Sequence, residues 1–260
     1  MARGLVQIDG KYQYYDNDGY QVKGQIVTDK DGNIRYFKAD SGEMVVSDFV
    51  KIGDNNWYYF DANGVAVTGA QTIEGQDLYF DENGVQVKGS IVTNTDGSRS
   101  YYDADSGQKM INKFFTTGDN NWYYADSNGN LVTGSQTIKG QKLNFESTGL
   151  QDKGKLIETE DGSKYYYDAD SGQMIVNKFE SVNGLWYYFG LDGKAVTGSQ
   201  VINGQHLYFN VDGSQVKGSI AIVNDHRTYY DPNSGEMARN QWVTLSDGSE
   251  VFFDWRGYAV

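Results

Sequence analysis

The stretch W-Y-Y-F-D-A-N-G-V-A-V-T-G-A-Q-T-I-E-G-Q-D-L-Y-F-D-E-N-G-V-Q-V-K-G, from Trp57 to Gly89, decides the fold. It returns with few changes from Trp122 to Gly154 and again from Trp186 to Gly218. Alignment on the residue after each aromatic pair gives twelve short repeats, spaced about 20–23 residues apart. Every third short repeat is of the same subtype, so three short repeats together form a longer repeat of about 64 residues.

Each short repeat combines aromatic runs with two kinds of turn. The aromatic run Trp57–Phe60 is followed by the turn Asp61-Ala62-Asn63-Gly64, and we expect the run Val65–Thr68 to complete a hairpin with it. A second turn, Ile73-Glu74-Gly75-Gln76, then leads to the next repeat. No ten consecutive residues show helical periodicity. The pattern predicts an all-β protein, a β-solenoid of about twelve stacked β-hairpins with roughly three hairpins per turn.

Alternation within the strands assigns the two faces. Residues just before the turn, and those two positions earlier, are predicted to form the core. These are Phe60, Phe80, Tyr102, Phe145 and Phe209, together with Tyr58, Leu78, Leu143, Leu207, Val67, Val132 and Val196. The opposite face, with Trp57, Tyr59 and Tyr79, is predicted to be exposed.

Bulk composition excludes several classes of partner. The net charge of −13 argues against nucleic acid, and no apolar run is long enough to insert into a membrane. With no cysteine and many aromatic residues, the chain is typical of exported Gram-positive repeat proteins, so we expect a secreted, extracellular or cell-surface monomer. We interpret residues 1–4 as a leading linker and 5–260 as one continuous repeat domain, which we expect to extend beyond both ends in the natural protein.

The quoted stretch closely resembles the A-type glucan-binding repeat of streptococcal-type glucansucrases, the sucrose-dependent glucosyltransferases that make dextran and mutan. The stretch Ser90–Asp119, with Y-Y-D-A-D-S-G at Tyr101–Gly107, resembles their C-type repeat. The resemblance implies a non-catalytic β-solenoid that binds α-glucan, while the chemistry of such enzymes resides in a separate barrel domain.

A glucose ring has an apolar C–H face and a rim of hydroxyls, so a sugar site needs an aromatic platform with polar neighbours. The resemblance implies pockets between hairpins, built from a stacking aromatic residue with Gln and Lys. The residues predicted to bind glucan are Trp57, Tyr59, Tyr79, Gln86, Lys88, Trp122, Tyr124, Gln151, Lys153, Trp186, Tyr188, Tyr208, Gln215 and Lys217. Asn144 replaces Tyr79 and Asp152 replaces Val87 in the second copy, which we therefore expect to be the weakest.

Other functions have less support in the sequence. Choline-binding repeats of pneumococcal proteins and carbohydrate-binding repeats of clostridial toxins are related, and a structural or cell-wall attachment module is the alternative. A choline cage needs a second Trp after the T-G pair, where this chain has Ala70, Ser135 and Ser199. The two histidines fit no catalytic pattern, and the carboxylates lie at turns. We expect no cofactor, although the turns Asp103–Gly107 and Asp168–Gly172 leave open a loosely bound calcium ion.

Overall fold

The computed structural model describes residues 2–118 and 121–260, and these residues form strands and turns without a helix. The described residues therefore contain no helix that could span a lipid bilayer. Contacts divide the chain into two compact units, the first ending at Val132 and the second beginning at Thr133. The described residues form twelve two-stranded antiparallel hairpins, six in each unit.

The strands pair in chain order. The strands of the first unit are β1 Gly4–Ile8, β2 Lys11–Tyr15, β3 Gln25–Thr28, β4 Ile34–Phe37, β5 Asp48–Ile52, β6 Asn56–Phe60, β7 Gly69–Ile73, β8 Gln76–Phe80, β9 Ser90–Thr93, β10 Arg99–Tyr102, β11 Lys113–Thr116 and β12 Trp122–Ala125. Those of the second unit are β13 Gly134–Ile138, β14 Gln141–Phe145, β15 Lys155–Glu158, β16 Lys164–Tyr167, β17 Lys178–Val182, β18 Leu185–Phe189, β19 Gly198–Ile202, β20 Gln205–Phe209, β21 Ser219–Val223, β22 His226–Tyr230, β23 Gln241–Thr244 and β24 Glu250–Phe253.

The pairing across the turns differs from the sequence-based expectation. The ladder of β7 with β8 closes over Glu74 and Gly75, whose φ angles are 52° and 78°. Two consecutive positive φ values define a turn whose twist matches that of the flanking strands, so the long ladder forms there. The segment after Phe60, which was expected to complete a hairpin, makes only an isolated bridge between Phe60 and Ala66.

That segment links consecutive hairpins instead. Its backbone N–H at Ala66 donates to the carbonyl of Ile34 in the preceding hairpin (2.8 Å), while that of Val67 donates to Tyr59 (3.0 Å). The same arrangement recurs at Gln86, whose N–H bonds the Trp57 carbonyl at 2.7 Å. Within each unit the hairpins are thus joined to their neighbours by backbone hydrogen bonds, which confirms the β-solenoid of stacked hairpins.

Three kinds of junction alternate along the stack. A glutamine, a methionine or lysine, or an alanine lies over the turn glycine of the next hairpin. The pairs include Gln86 over Gly107, Met174 over Gly193 and Ala66 over Gly84. A Cβ atom at Gly107 would lie 2.3 Å from the Gln86 amide nitrogen, so this turn requires glycine for the close approach as well as for its φ of 73°. The structure thus repeats every third hairpin, as the sequence predicts.

The core of each unit consists of the aromatic residues that end the second strands. Phe60, Phe80 and Phe209 are fully buried. Tyr102, Phe145, Tyr58, Leu78, Leu143 and Leu207 are also buried, so this part of the core prediction is confirmed. The valines predicted to join them, Val67, Val132 and Val196, are only half-buried. Val67 and Val196 pack at the edges of clusters formed by the following hairpin, because their segment runs between two hairpins.

The first strand begins at Gly4, within the residues that were assigned to a leading linker. Each of the two units is compact by itself. The prediction of one continuous domain over residues 5–260 therefore stays a prediction.

Candidate functional site

The repeated tryptophans lie on the second strand of every third hairpin and are partly exposed. Trp122 and Trp186 expose 36% and 42% of their surface, and Trp57 is half-buried. Each belongs to a strand whose next residue faces the core, so alternation turns its ring away from the hydrophobic cluster. The Nζ of Lys88 lies 5.9 Å from the Trp57 ring centroid, and that of Lys217 lies 5.3 Å from Trp186. The predicted Trp and Lys are thus close to each other in the first and third copies, and the place of Gln86 and Gln215 beside them stays a prediction.

The Gln and Lys side chains of these copies already have protein partners. The Lys88 ammonium donates to the backbone carbonyl of Asp105 at 2.9 Å, and Lys217 donates to that of Asn233 at 2.8 Å. The Gln215 amide donates to the Ser234 carbonyl at 3.3 Å. These bonds hold the D-x-x-S-G turn of the next hairpin. Whether the same side chains also contact a sugar stays a prediction.

The predicted tyrosines are placed differently from the expectation. Tyr59, Tyr79, Tyr124, Tyr188 and Tyr208 are half-buried. The Tyr59 ring lies 4.8 Å from Phe49 and packs on the cluster of the next hairpin. Tyr79 contacts Tyr102 at 5.6 Å. The expectation that Tyr59 and Tyr79 are exposed is therefore wrong, because the face opposite the core is covered by the neighbouring hairpin. Their role in glucan binding stays a prediction.

The second copy is divided between the two units. Trp122 and Tyr124 lie in the first unit and Gln151 and Lys153 in the second, so their assembly into one site stays a prediction. Lys153 donates to the Asp170 carbonyl at 2.8 Å, and Gln151 is 7% exposed with its amide near the Ser171 carbonyl (3.5 Å).

The two departures in the second copy are coupled. Asn144 accepts a hydrogen bond from the Ser135 hydroxyl (2.9 Å), and its amide nitrogen donates to the Asp152 carboxylate (2.7 Å). Asp152 is 2% exposed and forms an ion pair with Lys155 at 3.0 Å. Lys155 also contacts Glu146, and the hydrogen bonds that its ammonium donates to Glu146 and Asp152 raise the pKa of Lys155. A polar network thus replaces the packing that Tyr and Val provide in the other copies.

Two clefts lie where a hairpin that begins at the glycine of a T-G pair meets the hairpin after it. A cleft of about 240 Å³ between β19–β20 and β21–β22 includes His206, Arg239 and Arg256 in its wall. One of about 330 Å³ between β13–β14 and β15–β16 is lined by Ser135, Asn144, Tyr165 and Tyr167, among others. Sequence reasoning did not single out Tyr165. An alignment of the equivalent hairpins could have found it, because the other hairpins of its subtype have Arg35, Ser100 and Thr228 at this position and none has an aromatic residue there.

The turn carboxylates serve the backbone. Asp103 Oδ1 accepts hydrogen bonds from the N–H groups of Asp105 and Ser106 (3.1 and 2.9 Å) and from the Ser106 hydroxyl (2.9 Å). These bonds hold the pKa of Asp103 below its ordinary value. Among the described residues, no three acidic or histidine side chains gather as metal ligands would. The calcium alternative at this turn stays a prediction.

Comparison with known proteins finds repeat families over most of the chain. The choline-binding repeat family matches residues 2–49, 67–114, 132–179 and 196–242. A cell wall binding repeat matches residues 47–66, 112–131 and 177–195, which fall between those segments. The two families therefore alternate along the chain.

Individual relatives give the same result. Glucosyltransferase-S of Streptococcus mutans is 48% identical over all of this chain, which spans 18% of that protein, and the match is to its C-terminal region. Glucosyltransferase-I of Streptococcus downei is 44% identical over 76% of this chain and 12% of its own length. The chain thus spans less than a fifth of the length of these relatives. Among solved structures, CbpJ of Streptococcus pneumoniae TIGR4 superposes with a TM-score of 0.65 at 22% identity, over the whole of both chains.

Proposed function

This chain belongs to the choline-binding repeat family, and because it also matches the C-terminal region of glucosyltransferases, we propose that it binds α-glucan through several weak sites and tethers a glucosyltransferase to its polymer product. The chain is a non-catalytic repeat binding domain. Such repeats bind carbohydrate or the cell wall and associate with the outside of the cell or its surface. We further propose that the ligand is dextran or mutan and that the chain is secreted.

The observation that supports glucan most directly is a tryptophan with one face partly open in every copy. An exposed indole on a repeated surface is a feature of binding sites, since it leaves apolar area in water without a folding benefit. The Trp57 and Trp186 rings each have an ammonium at one side. A pyranose could stack its C–H face on the remaining area, with its hydroxyls near the Lys and Gln side chains.

Affinity electrophoresis through gels that contain dextran tests this proposal. Trp57→Ala, Trp122→Ala and Trp186→Ala combined should weaken retention at least about tenfold, because avidity multiplies the loss at single sites. Trp255→Ala is the matched control, since Trp255 is 70% exposed but lies in a turn outside the three copies. Near-ultraviolet circular dichroism checks that the variants fold. If the triple variant unfolds, Trp186→Ala alone is measured. Undiminished retention of the folded variants would exclude this role for the tryptophans.

A second candidate is attachment to choline-bearing cell-wall polymers, favoured by the match to the choline-binding repeat family. Against it, the position after the T-G pair is Ala70, Ser135 or Ser199 rather than Trp. Free choline in the electrophoresis buffer separates the two ligands. Glucan binding predicts that soluble dextran releases the chain and that choline leaves its mobility unchanged.

A further inference from the structure

The cleft between the β13–β14 and β15–β16 hairpins has a wall that the other copies lack. In the first copy Tyr79 lies over Tyr102 at 5.6 Å, and in the third Tyr208 lies over Tyr230 at 5.9 Å. The second copy has Asn144 at this position, with its amide bound to Ser135 and Asp152. The smaller side chain leaves Tyr167 without that aromatic cover, and Asn144 and Tyr167 both line the cleft of about 330 Å³.

A second change adds an aromatic ring to the same cleft. Tyr165 occupies the position of Ser100 and Thr228, which are fully buried in their hairpins. Tyr165 is half-buried and lines the cleft. A phenol ring is too large for the space that a serine or threonine fills, so it lies at the cleft wall instead.

The remaining wall is polar and balanced in charge. Ser135, Asn144 and Thr159 supply hydroxyl and amide groups, while Lys142 and Asp192 supply one charge of each sign. The related cleft in the third copy instead has two arginines, Arg239 and Arg256, although Arg256 is paired with Asp254. A balanced wall with an aromatic ring suits a neutral, hydroxyl-rich ligand better than an anion.

We propose that this cleft is a sugar subsite of its own, in which one neutral hexose residue stacks on Tyr165 and bonds to Ser135 and Asn144. It is separate from the tryptophan sites, and it rests on the proposed function only in taking glucan as the source of the hexose. At about 330 Å³ the cleft is at the lower end of small-ligand sites, which suits one or two sugar rings. The second copy, which the sequence predicts to be the weakest, gains a site through its departures.

Titration of the ¹⁵N-labelled chain with isomaltotriose, a ligand too short to bridge copies, tests the subsite. Amide resonances around Ser135, Asn144 and Tyr165 should shift with a common dissociation constant. Tyr165→Thr restores the third-copy residue and should raise that constant at least about tenfold, whereas Tyr165→Phe keeps the ring and should change it little. The double variant Asn144→Tyr with Asp152→Val restores the residues of the other copies and should also abolish the shifts. Because it reproduces pairs that already fold in this chain, loss of binding will not merely report unfolding.

Ser147→Ala, an exposed turn residue outside the cleft, is the matched control. Shifts confined to other regions, or unchanged affinity in folded Tyr165→Thr, would overturn the subsite. Dextran retention is measured on the same samples. Retention without shifts in the cleft refutes this inference and leaves the proposed function intact, whereas shifts in the cleft without retention refute only the multivalent function.

Discussion

The ammonium of Lys217 lies 5.3 Å from the centroid of the Trp186 ring. The same group donates a hydrogen bond of 2.8 Å to the carbonyl of Asn233. One lysine thus connects the indole of one hairpin to the turn of another, two hairpins further along. Lys88 repeats this arrangement between Trp57 and Asp105. These contacts give the lysines a structural role in addition to any contact with sugar.

Replacing Lys217 with methionine should destabilise the chain. The variant loses a cation–π contact and a charge-assisted hydrogen bond while keeping an apolar stem, so we expect a loss of about 1–2 kcal/mol. Urea denaturation measures it, with Lys139→Met, in an exposed turn, as the control. Weaker dextran retention without loss of stability would instead show that Lys217 acts mainly as a ligand.

Affinity should rise steeply with glucan length. Each site is expected to be weak, and several sites on one polymer gain by effective concentration, by factors of about 10²–10⁴. Isothermal titration of isomaltose, isomalto-oligosaccharides and high-mass dextran measures this dependence. Equal affinity for isomaltose and dextran, per mole of chain, would rule out multivalent binding.

Acid should destabilise the stack through its turn aspartates. The N–H and hydroxyl of Ser171 hold the pKa of Asp168 below its ordinary value, and Asp103 and Asp231 have the same arrangement. A depressed folded-state pKa contributes stability above the unfolded pKa of about 3.9, and that stability is lost as the pH falls through the folded value.

Replacing Asp103, Asp168 and Asp231 with asparagine should therefore lower the melting temperature at pH 7 and flatten its dependence on pH below about pH 4. Asp170→Asn, in the same type of turn, is the control, because within the described part of the chain the turn N–H groups of Asp170 and Ser171 donate to Asp168 and none donates to the Asp170 side chain. Parallel pH profiles for the triple variant and the parent would contradict this account.

Alkali should destabilise the chain through its buried phenols. Tyr230 is 2% exposed, and burial raises its pKa to about 12. Because the folded state favours the protonated phenol, its contribution is present below the unfolded pKa of about 10 and is lost as the pH rises toward 12. Absorbance at 295 nm should show a late-titrating class that loses one tyrosine in Tyr230→Phe. Tyr20→Phe, at a side chain that is 73% exposed, is the control and should leave the size of the late-titrating class unchanged. Loss of an early-titrating tyrosine in Tyr230→Phe would contradict this.

Removal of calcium should not change stability. Asp103 Oδ1 already accepts three hydrogen bonds from its own turn, which leaves this oxygen poorly placed for a cation. Calorimetry with a chelator and with added calcium should give the same melting temperature. A rise with calcium that Asp103→Asn abolishes would instead establish a metal site at the turn.

The sequence was sufficient to predict the strands and most of the core. Period-two alternation placed Phe60, Leu78 and Phe80 correctly, since the last aromatic residue before each turn is buried. It failed for Tyr59 and Tyr79, because alternation treats the second face as solvent. In a stack of hairpins that face meets the next hairpin, as the contact of Tyr79 with Tyr102 shows.

Strand pairing and the contacts at the junctions between hairpins were harder to predict. Both the Asp61–Gly64 and the Glu74-Gly75 turns carry hairpin residues, and only backbone geometry shows that the long ladder closes over the second. The bond from Lys88 to Asp105 spans 17 residues and depends on how two hairpins stack, which local patterns do not encode. Tyr165 could have been found by comparing equivalent hairpins position by position.

The alternation of three junctions has a consequence for how such a gene can change length. Loss of the hairpin that follows Gln86 would place this glutamine against Gly129, which normally lies under Lys109, so the one new junction would be mismatched. Loss or duplication of three hairpins keeps every junction matched, since each junction depends only on the two hairpins that form it. Recombination between the Trp57 and Trp122 copies removes 65 residues, the difference between 122 and 57, and meets this condition. Natural variants of this region should therefore differ in length by whole sets of three hairpins.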